Sequence, residues 1–138
     1  MNQIRPFVPY TLARDWGEEI VTAHTPQYIT KVLKYQAGKA GGLQLHREKI
    51  ESFYLLSGRA VVESDNGHGI LVRQEMTPGM AFDIPSGAAH RFIALDDCLV
   101  IEGSTPVEND RVRLESVYGV DVIGDGPGLP TTFGKAHE

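Results

Sequence analysis

"GLQLHREKIESFYLLSG", residues 42–58, alternates polar and apolar side chains over much of its length and closes on a serine–glycine pair. A period of two belongs to a strand, on which successive side chains point to opposite faces. Gln44 and His46 therefore share one face of one strand. Glu51, Phe53 and Leu55 share a face of the next, with the polar stretch "REKI" as a turn between them. Folded as a hairpin, the segment brings an amide oxygen, an imidazole nitrogen and a carboxylate to one place. All three groups are competent to ligate a metal ion.

The same period runs outward in both directions. "YITKVLKYQAG" alternates around Ile29, Lys31, Leu33 and Tyr35, and "SFYLLSGRAVVES" is β-branched and aromatic on both sides of Ser57-Gly58. "GILVRQ", "GMAFDIP", "HRFIAL" and "CLVIEGST" continue it, separated by Gly, Pro, Asn and Asp. Short strands at such regular spacing predict an all-β sandwich or small barrel. The best helical candidate, "TLARDWGEEI", is a weak one. Residues 1–20, with Pro6, Pro9 and Trp16-Gly17, read as an arm that packs outside the main sheet. Residues 1–123 then form one domain, followed by a Gly/Pro-rich tail over 124–138 in which Phe133 is the single aromatic.

Composition narrows the function. A chain of 138 residues with a formal net charge of −5 and no basic run excludes nucleic acid and an anionic membrane as partners. Cys98 is the only cysteine, so no intrachain disulfide and no cysteine-built zinc site can form. Without a signal pattern or a long apolar run, the expected location is cytoplasmic.

A second stretch completes the donor set. In "GMAFDIPSGAAHRF", residues 79–92, Pro85 and Gly87 shape a tight turn and His90 begins the next strand. A histidine set directly after such a turn has a fixed backbone position, as a metal ligand requires. His24, His68 and His137 sit in loop or tail contexts and read as solvated. Phe53, Phe82 and Phe92 are expected to line the barrel, with Arg59 and Arg91 pointing outward from it. Lys49 lies beside the donors, and Glu102 sits on a late strand where a buried carboxylate without a role is unusual. These two are the candidate proton-transfer groups.

The pattern Gln44-x-His46-x4-Glu51-x6-Gly58, then Gly79-x5-Pro85-x-Gly87-x2-His90, resembles the paired motifs of the cupin superfamily. "GGLQLHREKIESFYLLSGRA", "IPSGAAHRF" and "LVIEGSTPVENDRVRLESVYG" resemble the C-terminal cupin domain of type II phosphomannose (mannose-6-phosphate) isomerases, over roughly residues 14–119. The resemblance implies a double-stranded β-helix (jelly-roll) barrel. It also implies one divalent metal ion held by Gln44, His46, Glu51 and His90. Zinc suits the mixed nitrogen and oxygen donors, with Mn, Fe, Co and Ni as alternatives. The implied activity is that of an aldose–ketose isomerase on a sugar or sugar phosphate, with Arg113 and Lys31 holding a phosphate or carboxylate, in a homodimer. This sequence departs from the family at Ala94, where Asn is frequent, and at Arg47-Glu48, which replace a histidine-rich run. The alternatives are a metal-dependent dioxygenase on a small carbonyl substrate and a non-catalytic sugar-binding protein.

Overall fold

Turn residues at regular spacing cut the chain into short strands, and the computed structural model, which describes residues 2–123, shows eleven of them. They are β1 (Tyr10–Arg14), β2 (Gly17–His24), β3 (Ile29–Tyr35), β4 (Gln44–His46), β5 (Glu51–Ser57), β6 (Ala60–Asp65), β7 (Leu71–Met76), β8 (Ala81–Ile84), β9 (His90–Ala94), β10 (Cys98–Ser104) and β11 (Arg111–Arg113), followed by a one-turn helix α1 (Glu115–Tyr118). They form two antiparallel sheets, ordered β1-β2-β3-β10-β5-β8 and β11-β4-β9-β6-β7. The chain crosses repeatedly from one sheet to the other, which is the jelly-roll winding expected from the sequence. No described helix is long and apolar enough to cross a membrane.

Strand alternation divides the barrel interior into two ends. Leu33, Tyr35, Leu55, Val62, Met76, Phe92 and Val100 fill one end, where burial of each large apolar side chain contributes about 1.5–3 kcal/mol. Phe53 and Phe92 meet edge to face at 6.0 Å, and Phe82 packs against this cluster, so the three phenylalanines line the barrel as expected. At the other end the same inward faces carry polar groups. Glu102 lies opposite both Lys31 and Phe53, and Ser104 lies opposite Glu51. His90 and Gln44 are register partners on the facing sheet.

Three expectations change. The segment 42–58 is not a hairpin: β4 pairs with β9 and β11, whereas β5 pairs with β10 and β8. Residues 47–50 cross between the sheets, and Gln44, His46 and Glu51 meet because both inner faces look into one barrel. The weak helix "TLARDWGEEI" is β1 and the start of β2 around a two-residue turn. Gly17 makes that turn possible, since a Cβ there would lie 1.8 Å from the Lys34 carbonyl oxygen. Consequently residues 10–20 belong to the six-stranded sheet and are not an arm outside it.

Arg91 does point away from the barrel interior, yet it is buried. Leu114, Val120 and Ile123 cover the outer face of the five-stranded sheet, so Arg91 is enclosed between Glu63 (2.5 Å) and the Asp121 carbonyl (2.6 Å). Arg59 remains exposed and pairs with Asp96. The tail 124–138, with Phe133 and His137, lies outside the described residues.

Candidate metal centre

Four donors converge at the polar end of the barrel, Gln44 and His46 from β4, Glu51 from β5 and His90 from β9. Glu51 opens β5 and is buried. His90 Nε2 lies 3.0 Å from Glu51 Oε1, and His46 Nε2 lies 3.8 Å from the same oxygen. Gln44, opposite His90 in the β4–β9 ladder, carries a buried amide oxygen without a hydrogen-bond partner. Donors about 2.0–2.2 Å from one ion stand about 3–4 Å from each other across a coordination polyhedron, which is the spacing of both imidazoles from Glu51. Among the described residues, no group of three or more His, Cys, Asp and Glu side chains stands close enough to hold a metal ion by itself. His46 stands off from Glu51, and the fourth donor is an amide.

The groups behind the imidazoles decide which ring nitrogen faces the centre. His90 Nδ1 lies 2.9 Å from the Ala88 carbonyl, which can only accept, so Nδ1 donates there and Nε2 is the nitrogen that faces Glu51. His46 Nδ1 lies 2.9 Å from Asp110 Oδ1. Asp110 also accepts from the backbone N–H groups of Glu48 (2.9 Å) and Lys49 (2.8 Å). Burial raises the Asp110 carboxyl, but those two N–H groups and His46 outweigh it and hold its pKa at about 2. An ionised carboxylate behind a histidine fixes the tautomer and raises its basicity toward a metal. The turn before His90 is tied down as well, since Gly87, at φ 80°, donates its N–H to the His46 carbonyl (2.7 Å). An orphaned amide oxygen, two aimed Nε2 atoms and a carboxylate fit a divalent ion.

The donors lie at the junction of two connected chambers. An inner one of about 70 Å³ is lined by Gln44, Glu51, His90 and Glu102. An outer one of about 540 Å³ opens to solvent and adds Arg14, Trp16, Glu19, His46, Lys49 and Arg111. A hollow of about 600 Å³ elsewhere is lined by Ala13, Glu18, Lys34 and Leu99 and holds none of the donors. The Glu51 carboxyl is raised by burial, yet His90 and Lys49 bring its pKa down to about 2. Burial and the adjacent Glu51 push Glu102 up to about 7. Lys49, 3.3 Å from Glu51, is lowered by burial but raised further by Glu102 and Glu51, so it stays a cation.

The expected substrate-binding residues occupy different settings. Lys31 points into the barrel, paired with Glu19 and 4.0 Å from Glu102. Arg113 sits beside the chamber with its guanidinium against Gly42, clasped by Glu115 at 2.5 and 3.0 Å. Several site residues were not legible in the sequence. Asp110 lies 64 residues from His46 and becomes its neighbour only through the β4–β11 ladder. Trp16, stacked on Tyr35 at 4.0 Å, reaches the chamber because β2 lies beside β3. Period-two alternation placed Glu19 on the face of Val21 once β2 was known, but the segment lacked a clear strand signal.

The family model described as "Cupin domain" matches residues 31–104. Mannose-1-phosphate guanylyltransferase of Klebsiella pneumoniae is 27% identical over 111 residues, covering 77% of this chain and 22% of that protein. Alginate biosynthesis protein AlgA of Pseudomonas aeruginosa is 30% identical over 111 residues, with the same shares. The chain thus spans 22% of the length of these curated relatives. Among solved structures, KdgF from Halomonas sp. superimposes with a TM-score of 0.58 at 27% identity, covering 67% of this chain and 81% of that one.

Proposed function

The chain belongs to the cupin family, and from that we propose that it is a metal-dependent aldose–ketose isomerase acting on a sugar or sugar phosphate. One observation carries the reading: the unpartnered Gln44 oxygen stands with His46, Glu51 and His90 at the end of a chamber that also holds Glu102 and Lys49. Those four residues would hold one divalent ion, with zinc well suited to the mixed donors. When bound, such an ion supplies Lewis-acid polarisation of substrate oxygens.

The remaining work falls to side chains of this protein. Glu102 faces the substrate space beside Glu51 and is the group placed to carry a proton between neighbouring carbons. Lys49, held as an ammonium, donates to a substrate oxygen as negative charge builds on it. Lys31 holds Glu19 and approaches Glu102, which fixes the wall opposite the donors. The Trp16–Tyr35 stack offers a flat apolar surface for a sugar ring. The relatives named mannose-1-phosphate guanylyltransferase support a sugar phosphate as the substrate class.

Proton exchange in heavy water tests the reading. Metal-loaded protein is incubated with aldoses, ketoses and their phosphates, and the C1 and C2 hydrogens are followed by NMR. Exchange or interconversion with one member is expected. Silence across the panel with a filled metal site would rule out the isomerase in favour of oxygen chemistry or binding alone.

A further inference from the structure

We infer that the barrel mouth holds a separate subsite for an anionic group of the substrate, a phosphate or a carboxylate, with Arg111 as its anchor. This deepens the isomerase reading and rests on the same cavity, but its evidence is independent of the metal donors. Five cationic side chains approach the cavity, and Arg113 is clasped by Glu115. Lys31 and Arg14 are both engaged by Glu19, and Lys49 is engaged by Glu51 at 3.3 Å. Arg111 lines the outer chamber, is exposed, and its side chain forms no ion pair or hydrogen bond with any described residue. A guanidinium at a cavity wall without a carboxylate partner is a site for one, or for a phosphate, because its planar fork matches both.

The backbone places this group with respect to the donors. Arg111 is the register partner of His46 in the β4–β11 ladder, one strand spacing of about 5 Å away. Asp110 ties the preceding position to the His46 ring and to two N–H groups, so β11 cannot drift from β4 without breaking those bonds. Asn109 lines the same chamber and is the only described non-glycine residue with positive φ, at 58°. Such a backbone persists where its surroundings hold it, and it recurs at ligand-binding loops.

Together these features describe the ligand. A chamber of about 540 Å³ accommodates a monosaccharide-sized molecule. Trp16 provides an apolar wall and the donor set provides the inner end. A molecule with its hydroxyl or carbonyl oxygens at the inner end would extend its distal group toward Arg111. A sugar phosphate and a uronate both meet that description.

Isothermal titration of the metal-loaded full chain with mannose, mannose 6-phosphate and mannuronate tests the subsite. At least one anionic sugar should bind about tenfold to a hundredfold more tightly than mannose, as loss of a charge-assisted contact implies. Arg111→Gln should abolish that difference and leave mannose affinity as it was, while Arg111→Lys should restore part of it. In the unaltered protein the difference should shrink as salt rises from about 50 to about 500 mM, a readout that needs no variant to fold. Whichever anionic sugar binds more tightly identifies the group.

The proposal is overturned if neither anion binds more tightly than mannose, or if the preference survives Arg111→Gln. Loss with Arg113→Gln and not with Arg111→Gln would assign the anion to Arg113 and overturn it equally. Binding heats are read without turnover. Arg111-dependent anion binding with no proton exchange would therefore refute the isomerase alone, and proton exchange with an anionic sugar whose binding is indifferent to Arg111→Gln would refute the subsite alone.

Discussion

Replacing Asp110 by Asn keeps the side-chain shape and removes its charge, in a place where both oxygens are engaged. Oδ1 faces His46 Nδ1 at 2.9 Å, and Oδ2 accepts from Glu48 N–H and Lys49 N–H at 2.9 and 2.8 Å. An amide has one acceptor and one donor group, so it can serve only one of these two sides. If the amide NH2 faces the backbone, two N–H donors meet a third. If it faces His46, the imidazole must move its proton to Nε2, the atom aimed at the metal centre. Loss of such a partner weakens metal binding by about tenfold to a hundredfold, equivalent to about 1.4–2.8 kcal/mol. Competition against a chelator, with metal measured by plasma mass spectrometry, gives the affinity directly. Asp110→Ala should fall at least as far, because it serves neither side. Affinity within twofold of the unaltered protein in both variants would refute the role given to Asp110.

Arg91→Met should cost about 3 kcal/mol in urea unfolding, because Glu63 would stay buried with its closest ion-pair partner gone. The double change with Glu63→Leu should recover most of that loss, and a double variant as unstable as the single would show that the pair is not the cause. Burial raises the carboxyls of Glu19 and Glu115, but Lys31 and Arg14 outweigh it for Glu19, and Arg113 with backbone N–H groups outweighs it for Glu115. Folded-state values below the ordinary 4.5 mean that this stability is present above that pH and is lost as pH falls through the depressed values. Metal-free protein should therefore melt progressively lower below about pH 4.5, and a Glu19→Gln, Glu115→Gln variant should show a shallower acid limb. An equally steep limb would reject the assignment. On the outer face of the six-stranded sheet, Ile101 and its register partner Tyr54 lie exposed near Leu56, and this is the face we propose for the expected homodimer. Sedimentation should give twice the chain mass, reduced to one chain by Ile101→Lys with Tyr54→Glu, and a monomeric unaltered protein would remove the idea.

The inner strands were readable because their two faces differ. Phe53, Leu55, Phe92 and Val100 alternate with polar or outward residues, and period two needs no tertiary information. The four donors were readable for the same reason: each occupies an inward position at the end of such a strand. What failed was pairing. Gln44 and Glu51 looked like neighbours across a hairpin, but the strands that hold them belong to opposite sheets, and local sequence does not encode which sheet a strand joins. β1 escaped notice because every one of its side chains is exposed, which leaves no apolar face to mark it. Arg91 was assigned to the outer face correctly, while its burial depends on residues 114–123 folding back across that face. Arg111 opens a three-residue strand too short for any period and Asp110 stands just before it, and only the ladder with β4 brings them to the site.

Metal content offers the most direct test of the centre. The purified chain, and the single variants Gln44→Ala, His46→Ala, Glu51→Ala and His90→Ala, would be dialysed against a common pool of zinc, manganese, iron, cobalt and nickel and then analysed for bound metal. One divalent ion per chain is expected in the unaltered protein, with occupancy reduced in each variant and no loss of secondary structure by circular dichroism. Unchanged metal content in all four variants, or no bound metal in the unaltered protein, would contradict the assignment of these residues as a metal centre.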